Sequence, residues 1–181
     1  CSVSLLLPMS ANFTDYSPSP KTINNNNATI SSAQYIFPPA SGYFNGTNAY
    51  LTSPDNAAFN FGTGDFTIEG WVRVTSKSTD FFIVSADGTG GMFFGYNSLS
   101  TLGWGYGRAA VAWDYNSGVI TDLNAWHFLS LCRSASNIKM FVDGTQIGST
   151  QSNSTSYNIS TGGLSIGAQG GTYTLSGKIG R

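Results

Sequence analysis

The sequence predicts an all-β protein built as a two-sheet antiparallel β-sandwich. Short segments in which apolar and polar residues alternate recur along the chain, and turn residues separate them at regular intervals. Few stretches keep an apolar 3.6-residue period for ten residues without Gly, Pro or a β-branched residue, so we expect essentially no helix. Aromatic residues make up 14% of the chain and apolar residues 40%, which indicates a folded core rather than a disordered chain.

Alternation is clearest in Phe66–Val74, where Ile68 and Val72 share one face while Glu69 and Trp71 share the other. Similar patterns predict further strands at Ser2–Leu7, Ala49–Thr52, Phe81–Ala86, Met92–Tyr96, Leu102–Tyr106, Ala109–Trp113, Trp126–Arg133, Ile138–Val142, Thr145–Gly148 and Leu164–Gly167. Asp143-Gly144 separates two of these strands by two residues, which predicts a tight type I′ hairpin. We expect a looser hairpin loop at Asp87–Gly91 and an irregular N-terminal loop that includes Asn24–Asn27.

The length of 181 residues suits one domain spanning residues 1–181. Because the chain lacks an initiator Met and stops abruptly after Gly180-Arg181, we expect it to be a segment of a longer protein. Cys1 lies at the extreme terminus, where a structural disulfide would gain little. Cys132 lies in an apolar strand pattern, so we expect it to be a buried free thiol.

Charge excludes several classes of partner. The chain has 8 Lys and Arg against 9 Asp and Glu, with a formal net charge of −1. It therefore has no basic stripe for nucleic acid and no polybasic membrane anchor. No apolar run approaches the roughly 18 residues of a membrane span. Ser, Thr and Asn together supply 58 of 181 residues, a surface that favours an extracellular or virion-exposed protein.

The residues argue against an enzyme, and we assign no catalytic residue. Glycoside hydrolysis usually needs two carboxyl groups beside the scissile bond, and Glu69 is the single glutamate. We expect it to pair with Arg73 on the same strand face. A G-x-S-x-G match places Ser165 in a possible nucleophile elbow, but the required helix is missing from the pattern. His127, the single histidine, would be its only base.

Metal binding is left unassigned. His127 and Cys132 cannot form a zinc site because no further Cys or His cluster exists. Calcium takes loop carboxylates and backbone carbonyls, so it stays open as a cofactor at loop aspartates. These candidates are Asp55, Asp65, Asp87 and Asp122. No other cofactor is indicated.

A Gly-rich aromatic strand supplies the candidate ligand site. In Leu102–Gly107, Trp104 and Tyr106 share one face with Leu102, and three glycines share the other. Glycine allows a second layer to pack closely on its face, so we expect the aromatic face to point outward. Together with nearby aromatics it forms a candidate glycan platform of Tyr96, Trp104, Tyr106 and Trp113. The alternative is an aromatic layer of the core.

Several motifs in order resemble the laminin-G-like domains of the concanavalin A-like lectin/glucanase jelly roll. They are Phe59–Arg73, Trp126–Arg133, Ile138–Gly144, Val3–Leu7, Gly42–Leu51 and Leu175–Ile179. The overall style is similar to domains of tailed-phage and marine-virus structural proteins. Positions that are often acidic in such domains hold Ser10 and Gly180-Arg181 in this chain. The absence of acidic residues there weakens the hypothesis that the chain binds calcium.

The resemblance implies a concanavalin A-like jelly roll and a non-catalytic surface module. It implies location on a virion surface, as a capsid, tail or fibre decoration assembled into a larger particle, and a glycan-binding or host-adhesion role. Two alternatives stay open: a purely structural decoration domain that contacts other virion proteins, and an extracellular domain of a secreted cell-surface adhesion protein. Val3–Leu7 and Leu175–Ile179 are expected to lie near each other, and if one edge there is open, more chain or a neighbouring subunit should fill it.

Overall fold

The computed structural model describes residues 3–86, 91–98, 103–108, 112–119, 121–157 and 162–180. Within them, fourteen strands form two antiparallel sheets of seven strands each, and one 3-10 helix spans Ala57–Phe59. The predicted all-β sandwich is therefore confirmed. The strands are β1 Asn24–Asn26, β2 Thr29–Ser31, β3 Ser41–Asn45, β4 Tyr50–Ser53, β5 Phe66–Val74, β6 Phe81–Ala86, β7 Met92–Asn97, β8 Gly103–Arg108, β9 Ala112–Asn116, β10 Trp126–Ser134, β11 Asn137–Val142, β12 Thr145–Ser152, β13 Leu164–Ile166 and β14 Ser176–Gly180.

The two sheets share one hydrophobic core. Sheet A has the order β1-β4-β13-β6-β7-β8-β9, and sheet B has the order β12-β11-β10-β5-β14-β3-β2. Alternate residues of each strand face the opposite sheet, as the pleat requires. The largest fully buried side chains include Phe44, Leu129 and Leu131 of sheet B, and Phe81 and Trp104 of sheet A. Each sheet therefore has one inner face in the core and one outer face.

The Asp143-Gly144 hairpin is confirmed. The φ angles of Asp143 and Gly144 are 51° and 79°, as a type I′ turn requires, and Val142 pairs with Thr145. Asp143 also accepts hydrogen bonds from Phe128 N–H and His127 Nδ1, both at 2.8 Å. Burial raises the pKa of Asp143, but these bonds outweigh burial and hold it below its ordinary value.

The sequence prediction fails at the N-terminal region. Residues 3–7 join neither sheet, since Leu6 N–H donates to the Asp15 carboxylate at 2.9 Å instead of to a strand. The run Asn24–Asn27 was predicted to be a loop, yet Asn24–Asn26 pairs with β4. Local alternation could not predict the irregular segment at residues 3–7 or the strand at Asn24–Asn26, because both depend on partners elsewhere in the chain.

The C-terminal segment does not form an open sheet edge in the described residues. Residues 176–180 form β14, which pairs with β3 on one side and β5 on the other, inside sheet B. The N-terminal segment approaches this region without pairing to it. A Cβ built on Gly42, the register partner of Ile179, would lie 2.8 Å from Met9 Sδ. Met9 is buried, so the segment contributes to the core instead of to a sheet edge.

A buried arginine ties the loops at one end of the sandwich. Arg133 is 2% exposed, and its guanidinium donates to the carbonyl oxygens of Gly62, Gly64 and Thr155 at 2.6, 2.7 and 2.7 Å. The guanidinium also lies 5.0 Å from the ring centroid of Phe66 and 5.4 Å from that of Tyr157. These contacts satisfy the buried charge with carbonyl dipoles and aromatic faces.

A second polar cluster closes the side where β9 and the chain after β12 meet. Asp114 accepts hydrogen bonds from Arg108 Nη2 at 3.0 Å and from Tyr157 Oη at 2.8 Å. Asn153 Nδ2 in turn donates to Tyr157 Oη at 2.9 Å. Burial raises the pKa of Tyr106 to about 12, and burial followed by the hydrogen bond to Asp114 raises the pKa of Tyr157. Both phenols are therefore held neutral.

The raised pKa values of Tyr106 and Tyr157 predict that the free energy of unfolding falls at alkaline pH. Their folded pKa values lie above the unfolded value of about 10, so their contribution is complete below pH 10 and declines above it. Each tyrosine should remove about 1.4 kcal/mol from the free energy of unfolding per pH unit above that point. Urea denaturation across this range should show a shallower decline for Tyr106→Phe than for the wild type. Identical slopes would contradict the assignment.

Candidate functional site

Three of the four predicted ligand residues belong to the core. Tyr96, Trp104 and Tyr106 are 2%, 1% and 1% exposed and face the interior of the sandwich. The ring centroid of Trp104 lies 5.6 Å from that of Tyr96 and 5.8 Å from that of Phe81. Its Nε1 donates to Thr121 Oγ1 at 3.3 Å. The expectation that this face points outward is wrong, and the alternative of an aromatic core layer describes these residues.

The glycine face of β8 is the outer surface of sheet A. A Cβ built on Gly107 would lie 2.3 Å from the Ala112 carbonyl oxygen and 2.6 Å from Phe93 Cζ. A Cβ built on Gly105 would lie 2.9 Å from Trp113 Cε3. No side chain larger than hydrogen fits at either position. The glycines thus allow aromatic rings from neighbouring strands to pack directly on the outer face of the sheet. Because this packing occupies the glycine face, the Trp104 and Tyr106 face of β8 points inward and not outward as predicted.

These rings form a shallow depression that we call the outer aromatic groove. Phe93 and Trp113 meet edge to face at 4.8 Å, and Phe82 packs 4.7 Å from Phe93 and 5.7 Å from Trp113 between ring centroids. The volume is about 220 Å³. The lining residues are Asp80, Phe82, Phe93, Arg108, Ala112, Trp113, Gln169 and Tyr173. Trp113 is the one predicted ligand residue that lies here, and its role in binding stays a prediction.

The rings differ in accessibility. Phe82 and Phe93 are each 4% exposed and form the floor of the groove. Trp113 is half-buried, and Tyr173 is 54% exposed. The Tyr173 ring meets Phe82 edge to face at 5.7 Å, and the Tyr173 carbonyl accepts from Phe82 N–H at 3.3 Å. Trp113 and Tyr173 are thus the rings that a ligand can contact from solvent.

Polar groups of three kinds line the same groove. Asp80 accepts hydrogen bonds from Ser98 N–H and Ser98 Oγ, both at 2.7 Å, which fix the position of its carboxylate. Arg108 is held by Asp114, and a third of its side chain stays exposed. Gln169 belongs to a small loop closed by reciprocal backbone bonds with Thr172 at 2.8 and 2.9 Å. The groove therefore offers a carboxylate, a guanidinium and an amide beside two accessible rings.

The loop that carries Gln169 and Tyr173 was not predicted as part of a site. Tyr173 has a φ of 51°, a left-handed conformation that a non-Gly residue adopts at a cost. The sequence around it, rich in Gly and Thr, carries the signal only of a turn. Its position over Phe82 depends on the pairing of β13 with β6, which local patterns do not encode.

A second depression lies beside the N-terminal segment. It has a volume of about 360 Å³ and is lined by Phe13, Thr14, Asp15, Pro20, Lys21, Ile23 and Asn25. The Asp15 carboxylate accepts from the backbone N–H groups of Leu6, Ser17 and Lys21 and from Ser17 Oγ. Burial raises the pKa of Asp15, but these bonds outweigh burial and lower it. Asp15 therefore organises the segment and is not free to bind a ligand.

The residues considered for catalysis lie apart. Ser165 is buried in β13 of sheet A, whereas His127 lies in β10 of sheet B with its Nδ1 on Asp143. Glu69 is exposed on sheet B, and its expected ion pair with Arg73 is absent from the part of the chain that the structure describes.

The metal candidates and the cysteines are equally dispersed. In the described ranges no three His, Cys, Asp or Glu side chains group as metal ligands, and Asp65 instead accepts from Ala135 N–H at 3.0 Å. Calcium binding stays a prediction, and Asp87 lies outside the described residues. Cys132 is a free thiol but only half-buried, because it lies on the outer face between Thr67 and Lys139. Cys1, too, lies outside the described residues.

The sequence and the fold place the chain in a family. The model of the concanavalin A-like lectin/glucanases superfamily matches residues 45–181, and the chain belongs to this superfamily. The predicted family and jelly-roll fold are confirmed. No helix in the described part of the chain has the length and apolar character needed to cross a membrane. A search of curated proteins gives no significant match.

Solved structures share the fold at low identity. Domain 4 of AbnA, a GH43 extracellular arabinanase from Geobacillus stearothermophilus in complex with arabinotriose, has a TM-score of 0.69 at 13% identity, with 92% of this chain and 82% of that chain covered. The binding domain of Paraclostridial Mosquitocidal Protein 1 has a TM-score of 0.65 at 16% identity, covering 94% and 44%. The carbohydrate binding module CBM66 from Bacillus subtilis has a TM-score of 0.50 at 11% identity, covering 88% and 91%.

Substitution of Trp104 tests its assignment to the core. Trp104→Ala should lower the free energy of unfolding by about 3–5 kcal/mol, because it removes a fully buried indole and leaves a cavity. Trp113→Ala, in the neighbouring strand, is the matched control and should cost clearly less because its ring is half exposed. Urea denaturation of the three proteins measures both effects. A Trp104→Ala protein as stable as the wild type would contradict the assignment.

Proposed function

We propose that this chain is a non-catalytic glycan-binding module and that its ligand occupies the outer aromatic groove. The observation that carries the proposal is the pairing of accessible rings at Trp113 and Tyr173 with fixed polar groups on one surface. Sugar rings present C–H faces that pack on aromatic rings, and hydroxyl groups that need hydrogen-bond partners. Asp80, Arg108 and Gln169 supply acceptors and donors of this kind.

The geometry of the groove supports binding over hydrolysis. Asp80 is the carboxylate that lines it, while Asp114 is engaged by Arg108 and Tyr157. Glycosidases generally place two carboxyl groups on either side of the scissile bond. An open groove floored by buried phenylalanines also suits recognition of a sugar ring from solvent. Structural similarity to an arabinanase domain bound to arabinotriose and to a carbohydrate binding module lends support to this role.

Within this role, we propose a surface module of a virion or another extracellular particle, where it would bind host-surface glycans. A composition rich in Ser, Thr and Asn and poor in charge supports that setting. The second candidate is a structural decoration domain that contacts neighbouring virion proteins. Burial of Trp104 and Tyr106 favours this candidate, because most of the predicted platform is core. The accessible rings of the groove favour the first.

If the outer aromatic groove is the glycan site, removal of either accessible ring should weaken glycan binding. A glycan array should identify a bound oligosaccharide, with arabinotriose included as a probe. Calorimetric titration should then show binding to Trp113→Ala weakened several-fold, since a lost stacking contact costs on the order of 1 kcal/mol. Tyr173→Ala should weaken binding similarly.

Tyr35→Ala is the control, because Tyr35 is 44% exposed but lies outside the groove. Its affinity for the same oligosaccharide should equal that of the wild type. Failure of the array to yield any glycan would favour the structural decoration domain. Binding of a glycan with unchanged affinity in Trp113→Ala would contradict the outer aromatic groove as its site.

A further inference from the structure

Two cationic side chains neighbour each other on the outer face of sheet B. Lys178 in β14 pairs in register with Arg73 in β5, which pairs in register with Trp126 in β10. On the other side Lys178 pairs with Tyr43 in β3. All four point away from the core, since adjacent residues such as Val72 are buried in it. They form one row across four strands, on the sheet opposite the outer aromatic groove.

Among the residues that the structure describes, this row lacks a counter-charge. The two ion pairs in the described residues are Arg108–Asp114 and His127–Asp143, so neither cation of the row takes part in one. Lys178 is only 6% exposed, with its Nζ on Ser31 Oγ at 2.7 Å and 5.2 Å from the centroid of the Tyr43 ring. Burial lowers the pKa of Lys178, and the charge of Arg73 lowers it further. Two like charges placed side by side destabilise a sheet unless an anion joins them.

Arg73 is the cation of the row that a ligand can reach. It is half-buried, and its guanidinium forms no hydrogen bond or ion pair with the part of the chain that the structure describes. Trp126 adds an indole ring beside Arg73, but its Nε1 is buried and so is not available to a ligand. The row therefore presents donors and positive charge without any carboxylate.

Aromatic surface borders these cations. Tyr43 is 39% exposed and Phe37 is 48% exposed. Phe37 meets Trp71 edge to face at 6.4 Å, and Trp71 packs 5.4 Å from Phe128 between ring centroids. A ring beside a cation favours a ligand that combines a flat apolar face with an anionic group. An acidic sugar has both features, whereas an acidic peptide made of Asp and Glu supplies the negative charge without the flat apolar face.

We propose that Arg73 and Lys178 form a second binding site, which takes the carboxylate or sulfate group of an acidic carbohydrate. Arg73 would contact the anion directly, and Lys178 would add positive charge from beneath. The sugar ring would lie against Tyr43, the exposed ring of the row. This site is separate from the outer aromatic groove and does not depend on its function.

Calorimetric titration at low salt tests the site with D-glucuronate, inorganic sulfate and D-glucose as probes. Glucuronate should bind saturably, sulfate more weakly, and glucose not at this site. Arg73→Gln should weaken glucuronate binding about tenfold, because a charge-assisted bond is lost. Lys178→Met should weaken it as well, with thermal melts confirming that both variants fold.

Lys139→Gln is the matched control, since Lys139 lies in β11 on the same outer face but outside the row. It should bind glucuronate as the wild type does. Undiminished glucuronate binding in Arg73→Gln would overturn the proposal. Sulfate binding as tightly as glucuronate, or binding of polyglutamate without glucuronate, would overturn the assignment to a carbohydrate.

Discussion

The close packing of aromatic rings on Gly105 and Gly107 is the constraint on which the rest of sheet A depends. A side chain at either glycine would collide with Phe93, Trp113 or the Ala112 carbonyl oxygen. Because both positions lack a Cβ, β8 can place its large residues inward and accept rings from β7 and β9 on its outer face. The same strand thus builds a core layer and the floor of a surface groove.

Polar contacts link that groove to the rim of the sandwich. Arg108 lines the groove and holds Asp114, which in turn accepts from Tyr157. Tyr157 packs against the guanidinium of Arg133, whose hydrogen bonds fix the carbonyls of three loop residues. A continuous chain of side-chain contacts therefore runs from the groove to the loops that Arg133 holds. Such support keeps a binding surface rigid, which reduces the ordering cost of binding.

Sequence patterns predicted the strands with strong alternation, such as Phe66–Val74, and the Asp143-Gly144 hairpin, because local chemistry determines both. They did not predict which face of β8 points outward. Two-residue alternation separates Trp104 from Gly105 but does not say which lies inside. The Tyr173 loop and the pairing of Arg73 with Lys178 arise from strand order, so they become visible only when the sheets are assembled.

The orientation of β8 makes the central claim directly measurable. The chain has four tryptophans, whose indole N–H groups give separate signals in a two-dimensional nitrogen–proton NMR spectrum. During titration with an oligosaccharide ligand, the account predicts that the Trp113 signal shifts saturably while the signal of buried Trp104 stays in place. A ligand that shifts Trp71 or Trp126 and leaves Trp113 unchanged would contradict the claim that the outer aromatic groove is the glycan site.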